Sequence, residues 1–357
     1  MSSTLSVVGN NGINFEYWFD QLIDHNNPSA GTFKQRYYFS DQYWTGDGAP
    51  IILQTPGETS AEGLWSQMQL GHIQNKMMGE LGAAGVILER QSRSPHRLVP
   101  GSDPPPPRPD RYWGKSLPVP DLTTQNLQWL TVEQGVEDLK YFAENVQLPL
   151  NVTSTRPDRA PWVNIGCGYS GILAAYTQEK HSDVFASAYA SSAPVQADAD
   201  FWEYWEPVEQ GMPWNCSSDL AAAMAYVDDI LENGKARQVK RIKGMFGLES
   251  LLDDDFGRAL TYPLTTWQQL QAYDSQQGTE ALFFKFCDAI ETREDGTINQ
   301  SQDGVGMPQA LENWAAFYQT IGPDKDCPDT GGSCYSSYNY SDPFYTDTSV
   351  ANSIRGW

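Results

Sequence analysis

The chain has 357 residues, 40% of them hydrophobic and 12% aromatic, enough to bury one large core or a core plus a second unit and too much for disorder throughout. Its 45 acidic residues outnumber 23 basic ones, for a net charge of −22 and a pI near 4.4. Such a surface repels phosphate backbones and anionic lipid, which argues against nucleic-acid or membrane partners, and it suits solubility or work in acid, where protonated carboxylates repel one another less.

In chain order, Met1 to Gly12 are polar, without the apolar stretch of a signal peptide. Residues 15–55 alternate aromatic and polar residues, and Phe33, Arg36–Phe39 and Pro50–Thr55 read as strands. Residues 61–80 look helical, and 82–88 end in a buried-strand pattern. Residues 90–110 hold seven prolines and four arginines, which excludes a helix or a central strand and reads as a solvated polyproline-like loop, the alternatives being a retained intron or frame error and a ligand for a proline-recognition domain. Apolar residues at helical spacing predict a helix over 131–146, opened by a Thr-x-Glu cap signal. A strand over 161–167, a helix over 171–180 and an apolar strand over 184–195 follow, and this alternation predicts a parallel α/β sheet. After residue 196 the alternation stops, and long helical patterns such as 217–233 and 308–320 predict a mostly helical cap. No run reaches the length of a membrane helix.

Five cysteines occur, with no CxxC, and the four histidines are scattered, so no metal site and no cofactor is expected. Cys216, Cys287, Cys327 and Cys334 form an even set open to three connectivities. Cys167 is left over, in a small apolar context that predicts a core-facing thiol. Sequons at Asn151, Asn215, Asn299 and Asn339 join the cysteines in favouring a secretory route.

The chemistry-bearing segment is Gly166-Cys-Gly168-Tyr-Ser-Gly171, glycines set between a strand and a helix. That is the context of a nucleophile elbow, where backbones approach closely and the N–H after the nucleophile helps bind an oxyanion. A phosphate cradle would need GxGxxG or GK[ST], which this spacing lacks. A purely structural tight turn is the plain alternative.

Several segments in order carry a family resemblance: Phe19-Asp-Gln-Leu-Ile-Asp-His25, Gly31-Thr-Phe-Lys-Gln-Arg-Tyr37, Thr55-Pro-Gly-Glu58, Glu89 with Arg111-Tyr-Trp-Gly-Lys-Ser-Leu-Pro118, Leu130-Thr-Val-Glu-Gln-Gly135, Ala190-Ser-Ser-Ala-Pro-Val195 and Asp200-Phe-Trp-Glu-Tyr204. The chain resembles the prolyl carboxypeptidase and dipeptidyl peptidase II family of serine peptidases, and most closely its secreted fungal acid prolyl endoproteases. The resemblance implies an α/β-hydrolase-type parallel sheet spanning residues 1–195, interrupted by the insertion at 90–110. A mostly helical cap over 196–357 would follow, with the C-terminal strands missing. It implies a peptide or protein substrate containing proline, and a secreted or lysosomal/vacuolar setting. It places oxyanion donors at Tyr169 and in the Gly57 loop, a substrate-facing acid at Glu58, and disulfides Cys216–Cys287 and Cys327–Cys334.

Three departures bear on activity. Gly168 stands at the family's nucleophilic serine, and neither Ser170 nor Cys167 is placed to replace it. Residues 90–110 separate Glu89 from Arg111, where the family pattern has one histidine. No histidine follows His181, so the chain as written is expected to lack nucleophile, acid and base. The alternative to a peptidase is a non-catalytic binder of proline-containing peptides, using aromatics such as Trp202, Tyr204 and Trp205; a lipase or esterase on the same fold is disfavoured by the absence of a long apolar lid.

Overall fold

A computed structural model describes residues 5–6, 15–56, 61, 63–69, 71–89, 116, 118–119, 123, 125–198, 201–270, 281–321 and 336–338. The chain forms two compact units, Met1–Ala197 with Ser341–Trp357, and Asp198–Tyr340.

The first unit is built on a seven-stranded sheet: β1 (Leu5–Ser6), β2 (Phe15–Leu22), β3 (Thr32–Ser40), β4 (Ile51–Gln54), β5 (Ala84–Leu88), β6 (Trp162–Cys167) and β7 (Phe185–Ser191). Their spatial order is β1-β2-β3-β5-β4-β6-β7. β4 runs parallel to both β5 and β6, and β6 runs parallel to β7. The parallel sheet predicted from the strand–helix alternation is therefore present, but β1, β2 and β3 extend it in antiparallel fashion, so the whole is mixed. The reason is local: β2 and β3 are joined by the short turn of residues 23–31, which permits an antiparallel hairpin, whereas the parallel strands are joined through helices.

Helices cover both faces. Ile51, Leu53, Trp162 and Phe185 pack with Val136, Leu139 and Phe142 of α2 (Val132–Asn145) and Leu173 of α3 (Tyr169–Lys180). Ile52, Ile87 and Ile165 point the other way, toward Met68 and Met78, the latter on α1 (Ile73–Leu81). Alternate residues of one strand thus serve opposite cores, which is why β4 and β5 read as unbroken apolar runs. Each fully buried side chain of this size contributes about 1.5–3 kcal/mol.

The helix predicted over 61–80 is two pieces, a 3-10 turn at Leu64–Met68 and then α1. Gly71 between them takes φ +100°, a left-handed conformation that ends a helix. The α2 cap is Thr131, whose hydroxyl accepts from the Gln134 N–H, with Glu133 in the first turn. β7 stops at Ser191, short of the predicted residue 195, because Ser192 turns to φ 46°.

The second unit is helical: α4 (Glu206–Gly211), α5 (Trp214–Asn233), α6 (Ala236–Met245), α7 (Asp253–Leu260), α8 (Tyr262–Thr265), α9 (Leu282–Ile290) and α10 (Met307–Ile321). Phe246 packs edge-on against Phe256, Trp314 and Tyr318 at its centre. A disulfide joins Cys216 of α5 to Cys287 of α9. Cys327 and Cys334 lie outside the described residues. Among the described residues no helix is long and apolar enough to cross a membrane, and no cluster of three metal-ligating side chains occurs.

Candidate active site

β6 passes directly into α3 through Gly168, which adopts φ +61° and ψ −127°. The three glycines here do different work. A Cβ at Gly166 would lie 2.1 Å from the Ser170 carbonyl oxygen, and one at Gly171 2.8 Å from the Ser191 carbonyl oxygen. Both are therefore required by close backbone approach. At Gly168 an added Cβ would meet nothing within 4 Å. Only the backbone conformation resists a side chain there, and the space is open. A strained, sterically open residue between a central strand and a helix is how an elbow presents a nucleophile. The turn is held by Gly168 N–H donating to Ser191 O at 3.0 Å, and by Ile172 N–H donating to Gly168 O at 3.1 Å.

Ser170 is buried, and its hydroxyl accepts from Cys167 N–H at 2.9 Å while donating to Cys167 O at 2.8 Å. It bolts the turn shut and is not presented to a substrate. Cys167 corrects its sequence reading: the thiol is exposed and does not face the core. It is the last residue of β6, beyond the stretch of the strand that the helices cover, so the in–out alternation no longer buries it. Tyr169 is half-buried and opens α3, where first-turn N–H groups point out of the helix N-terminus. Gly57 and Glu58 lie outside the described residues.

Of the described histidines, His181 follows the last residue of α3 and pairs with Glu137 at 2.8 Å. The helix rises about 20 Å between it and Gly168, at 1.5 Å per residue, so it does not serve the elbow. His25 Nε2 lies 2.7 Å from Asp138 Oδ1, a pair that ties the β2–β3 turn to α2, where His25 N–H also donates to Gln134 Oε1 at 3.0 Å. Nothing in the sequence spacing joins His25 to Asp138, 113 positions away.

Sequence reasoning also missed the role of a buried network after β5. Arg36, Glu89 and Ser116 are all fully buried. Arg36 Nε donates to Glu89 Oε2 at 2.9 Å, its second nitrogen donates to Glu89 Oε1, and Ser116 Oγ donates to Glu89 Oε2 at 3.0 Å. Ala61 N–H adds a donor to Glu89 Oε1 at 3.3 Å, and Arg36 also reaches Glu16 at 3.1 Å. Burial works against the Arg36 charge, but the charge and hydrogen bond of Glu89, together with Tyr38 and Glu16, outweigh it and drive the guanidinium pKa upward.

Of the sequon asparagines, Asn151 is exposed and Asn215 is partly buried, with its amide nitrogen donating to Asn299 O at 3.1 Å. Asn299 is 2% exposed, and its amide nitrogen donates to Glu291 Oε2 at 3.0 Å. Asn339 lies outside the described residues.

The family model described as "Serine carboxypeptidase S28" matches residues 110–310, more than half of the chain. The chain is 34% identical to "Serine protease vicPa" of Bipolaris victoriae (strain FI3), over 95% of this chain and 61% of that protein. It is 28% identical to "Probable extracellular serine carboxypeptidase" of Arthroderma benhamiae, over 91% of this chain and 45% of that protein. It thus spans about half to three fifths of the length of these relatives. Among solved structures, a proline iminopeptidase from Mycobacterium smegmatis shows a faint likeness, with a TM-score of 0.36 and 10% identity over 83% of this chain and 78% of that one.

Proposed function

The chain belongs to the serine carboxypeptidase S28 family of serine peptidases, and we propose that it is a member whose elbow is silent, engaging peptides without cleaving them. The observation that carries this reading is Gly168. It sits where an elbow presents its nucleophile, in the strained conformation and facing open space, with no hydroxyl to attack a carbonyl. Ser170 offers no substitute, because its hydroxyl is spent on the Cys167 backbone. The chemistry surrendered is acyl transfer: attack by a serine oxygen, with backbone N–H groups, Tyr169 among them, holding the oxyanion.

The natural ligand in this reading is a peptide or protein with a proline at the recognised position, and the setting is the secretory route. The Cys216–Cys287 bond supports an oxidising compartment. The Arthroderma relative is itself named extracellular. A binding role gains support from the second unit, where Phe201, Trp202 and Trp214 are exposed aromatics of the sort that proline rings stack on.

The test is direct. The purified chain is incubated with a serine-directed phosphonate and with a chromogenic peptide carrying proline before the reporter. No labelling and no hydrolysis are expected, together with saturable binding of a proline-containing peptide by calorimetry. Hydrolysis by the wild-type chain would overturn the reading. An absence of any saturable peptide binding would remove the binding role and leave only a silent elbow.

A further inference from the structure

The second unit contains no histidine, since the chain's four lie at positions 25, 72, 96 and 181. It nevertheless buries two carboxylates that interact with each other, by charge and by a side-chain hydrogen bond. Asp219 on α5 is 7% exposed, and Glu291, which ends α9, is 2% exposed. Asp219 Oδ2 accepts from Val305 N–H and Gly306 N–H, both at 2.8 Å. The loop wraps it so tightly that a Cβ at Gly304 would lie 2.4 Å from the same oxygen. Glu291 Oε2 accepts from Asn299 Nδ2, and the Glu291 carbonyl accepts from Asn299 N–H at 2.7 Å. Asn215, one turn before Asp219 on α5, donates to the Asn299 carbonyl. Glu291 Oε1, by contrast, is buried with no hydrogen-bond donor.

An ionised carboxylate with an orphaned oxygen, set against a second buried carboxylate, is costly in two ways: lost hydration and like-charge repulsion. A proton removes both costs, because the protonated oxygen becomes a donor and its neighbour is an acceptor. We infer that Glu291 carries a proton which it donates from Oε1 to the Asp219 carboxylate, so that the 299–306 loop is latched onto α5 and α9 in acid and loosened when that proton leaves.

The surrounding groups agree. Burial first, and then the Asp219 charge, push the Glu291 carboxyl above its ordinary range, against the opposing hydrogen bonds from the Asn299 and Asn215 side chains. The charged group that faces Glu291 is Asp219 from α5, while Arg293, from the turn after α9, spends its guanidinium on Asn299 Oδ1. From α10 comes Asn313, which does not titrate and donates to the Ile290 and Thr292 carbonyls at 2.8 and 2.7 Å. A group whose folded pKa is raised holds its proton more tightly when folded. Its stabilisation is therefore full below the ordinary glutamate range and is lost as the pH rises through the raised folded value.

The test is hydrogen exchange by mass spectrometry on the full chain at pH 4.5 and pH 7.5, corrected for intrinsic exchange and read on peptides covering residues 299–306. The wild type is expected to lose protection in this loop at least severalfold at the higher pH. Glu291→Gln, which keeps a donor and an acceptor but cannot ionise, should hold its protection at both values. Equal wild-type protection at the two pH values overturns the latch, and so does a Glu291→Gln variant that loses protection as the wild type does. Should that variant not fold, the wild-type comparison at the two pH values stands on its own.

Discussion

Ser116 Oγ donates to Glu89 Oε2 at 3.0 Å although 27 positions separate the two residues. The proline- and arginine-rich insertion of residues 90–110 lies wholly between them. The chain leaves a buried network at Glu89 and is back in the same network at Ser116, where Arg36 N–H donates to Ser116 Oγ at 3.0 Å. The insertion therefore need not disturb the sheet. Its cost is the entropy of closing a longer loop, which grows only with the logarithm of length.

Excising Gln91–Asp110 should leave the fold intact and stabilise the first unit by about 1 kcal/mol, two doublings of loop length removed. Denaturant unfolding of the two chains, followed by aromatic fluorescence, checks this. A shorter chain that unfolds earlier would mean that the insertion contributes contacts of its own.

Glu89→Ala should be among the most damaging single changes in this unit. It takes from the fully buried Arg36 guanidinium its two bonds to Glu89, leaving the Glu16 pair, and leaves Ser116 and the Ala61 N–H without their acceptor. Breaking one side of a buried ion pair costs about 3–5 kcal/mol. Glu89→Gln, which keeps an acceptor oxygen, should cost less. Midpoints of chemical unfolding rank the two, and equal losses would show that shape rather than charge holds the network.

What could be read in advance follows from which forces are local. The α2 cap, the buried runs of β4 and β5 and the strand–glycine–helix passage at Gly168 are written in short windows, because periodicity and backbone sterics act over a few residues. The antiparallel pairing of β3 with β2 and β5, the His25–Asp138 pair and the burial of Asn299 depend on segments brought together from far along the chain. A sequon records only three adjacent residues, so nothing in it told Asn299 from Asn151. Cys167 was misread for a related reason: its apolar neighbours suggest a core, but its place as the last residue of β6 sets its exposure.

Expressed through a secretory route, the chain should carry a glycan at Asn151 and none at Asn299. Asn151 is exposed, whereas the Asn299 amide nitrogen is committed to Glu291. Peptide mapping before and after glycosidase treatment in heavy-oxygen water reads occupancy at each site. Asn299→Ala should destabilise the second unit by about 1–3 kcal/mol, since it removes the donor to a buried carboxylate. A glycan at Asn299 in the folded, secreted chain would contradict the burial.

The elbow makes its own discriminating pair. Gly166→Ala drives a methyl against the Ser170 backbone, with 2.1 Å available and no flexible side chain to yield, so either the strand or the helix must move. Gly168→Ala meets no atom within 4 Å and carries only the strain of φ +61°. That strain is of order 1–3 kcal/mol for a residue other than glycine. Gly168→Ala should therefore remain folded at a modest cost, while Gly166→Ala should cost more and disturb α3. Unfolding midpoints, with far-ultraviolet dichroism of each variant, separate the two. The contrast also bears on chemistry, because Gly168→Ser should be tolerated for the same reason as Gly168→Ala and would return a hydroxyl to the open side of the turn. If the two alanine variants proved equally damaging, position 168 would be sterically closed, and the silence of the elbow could not be assigned to a missing side chain alone.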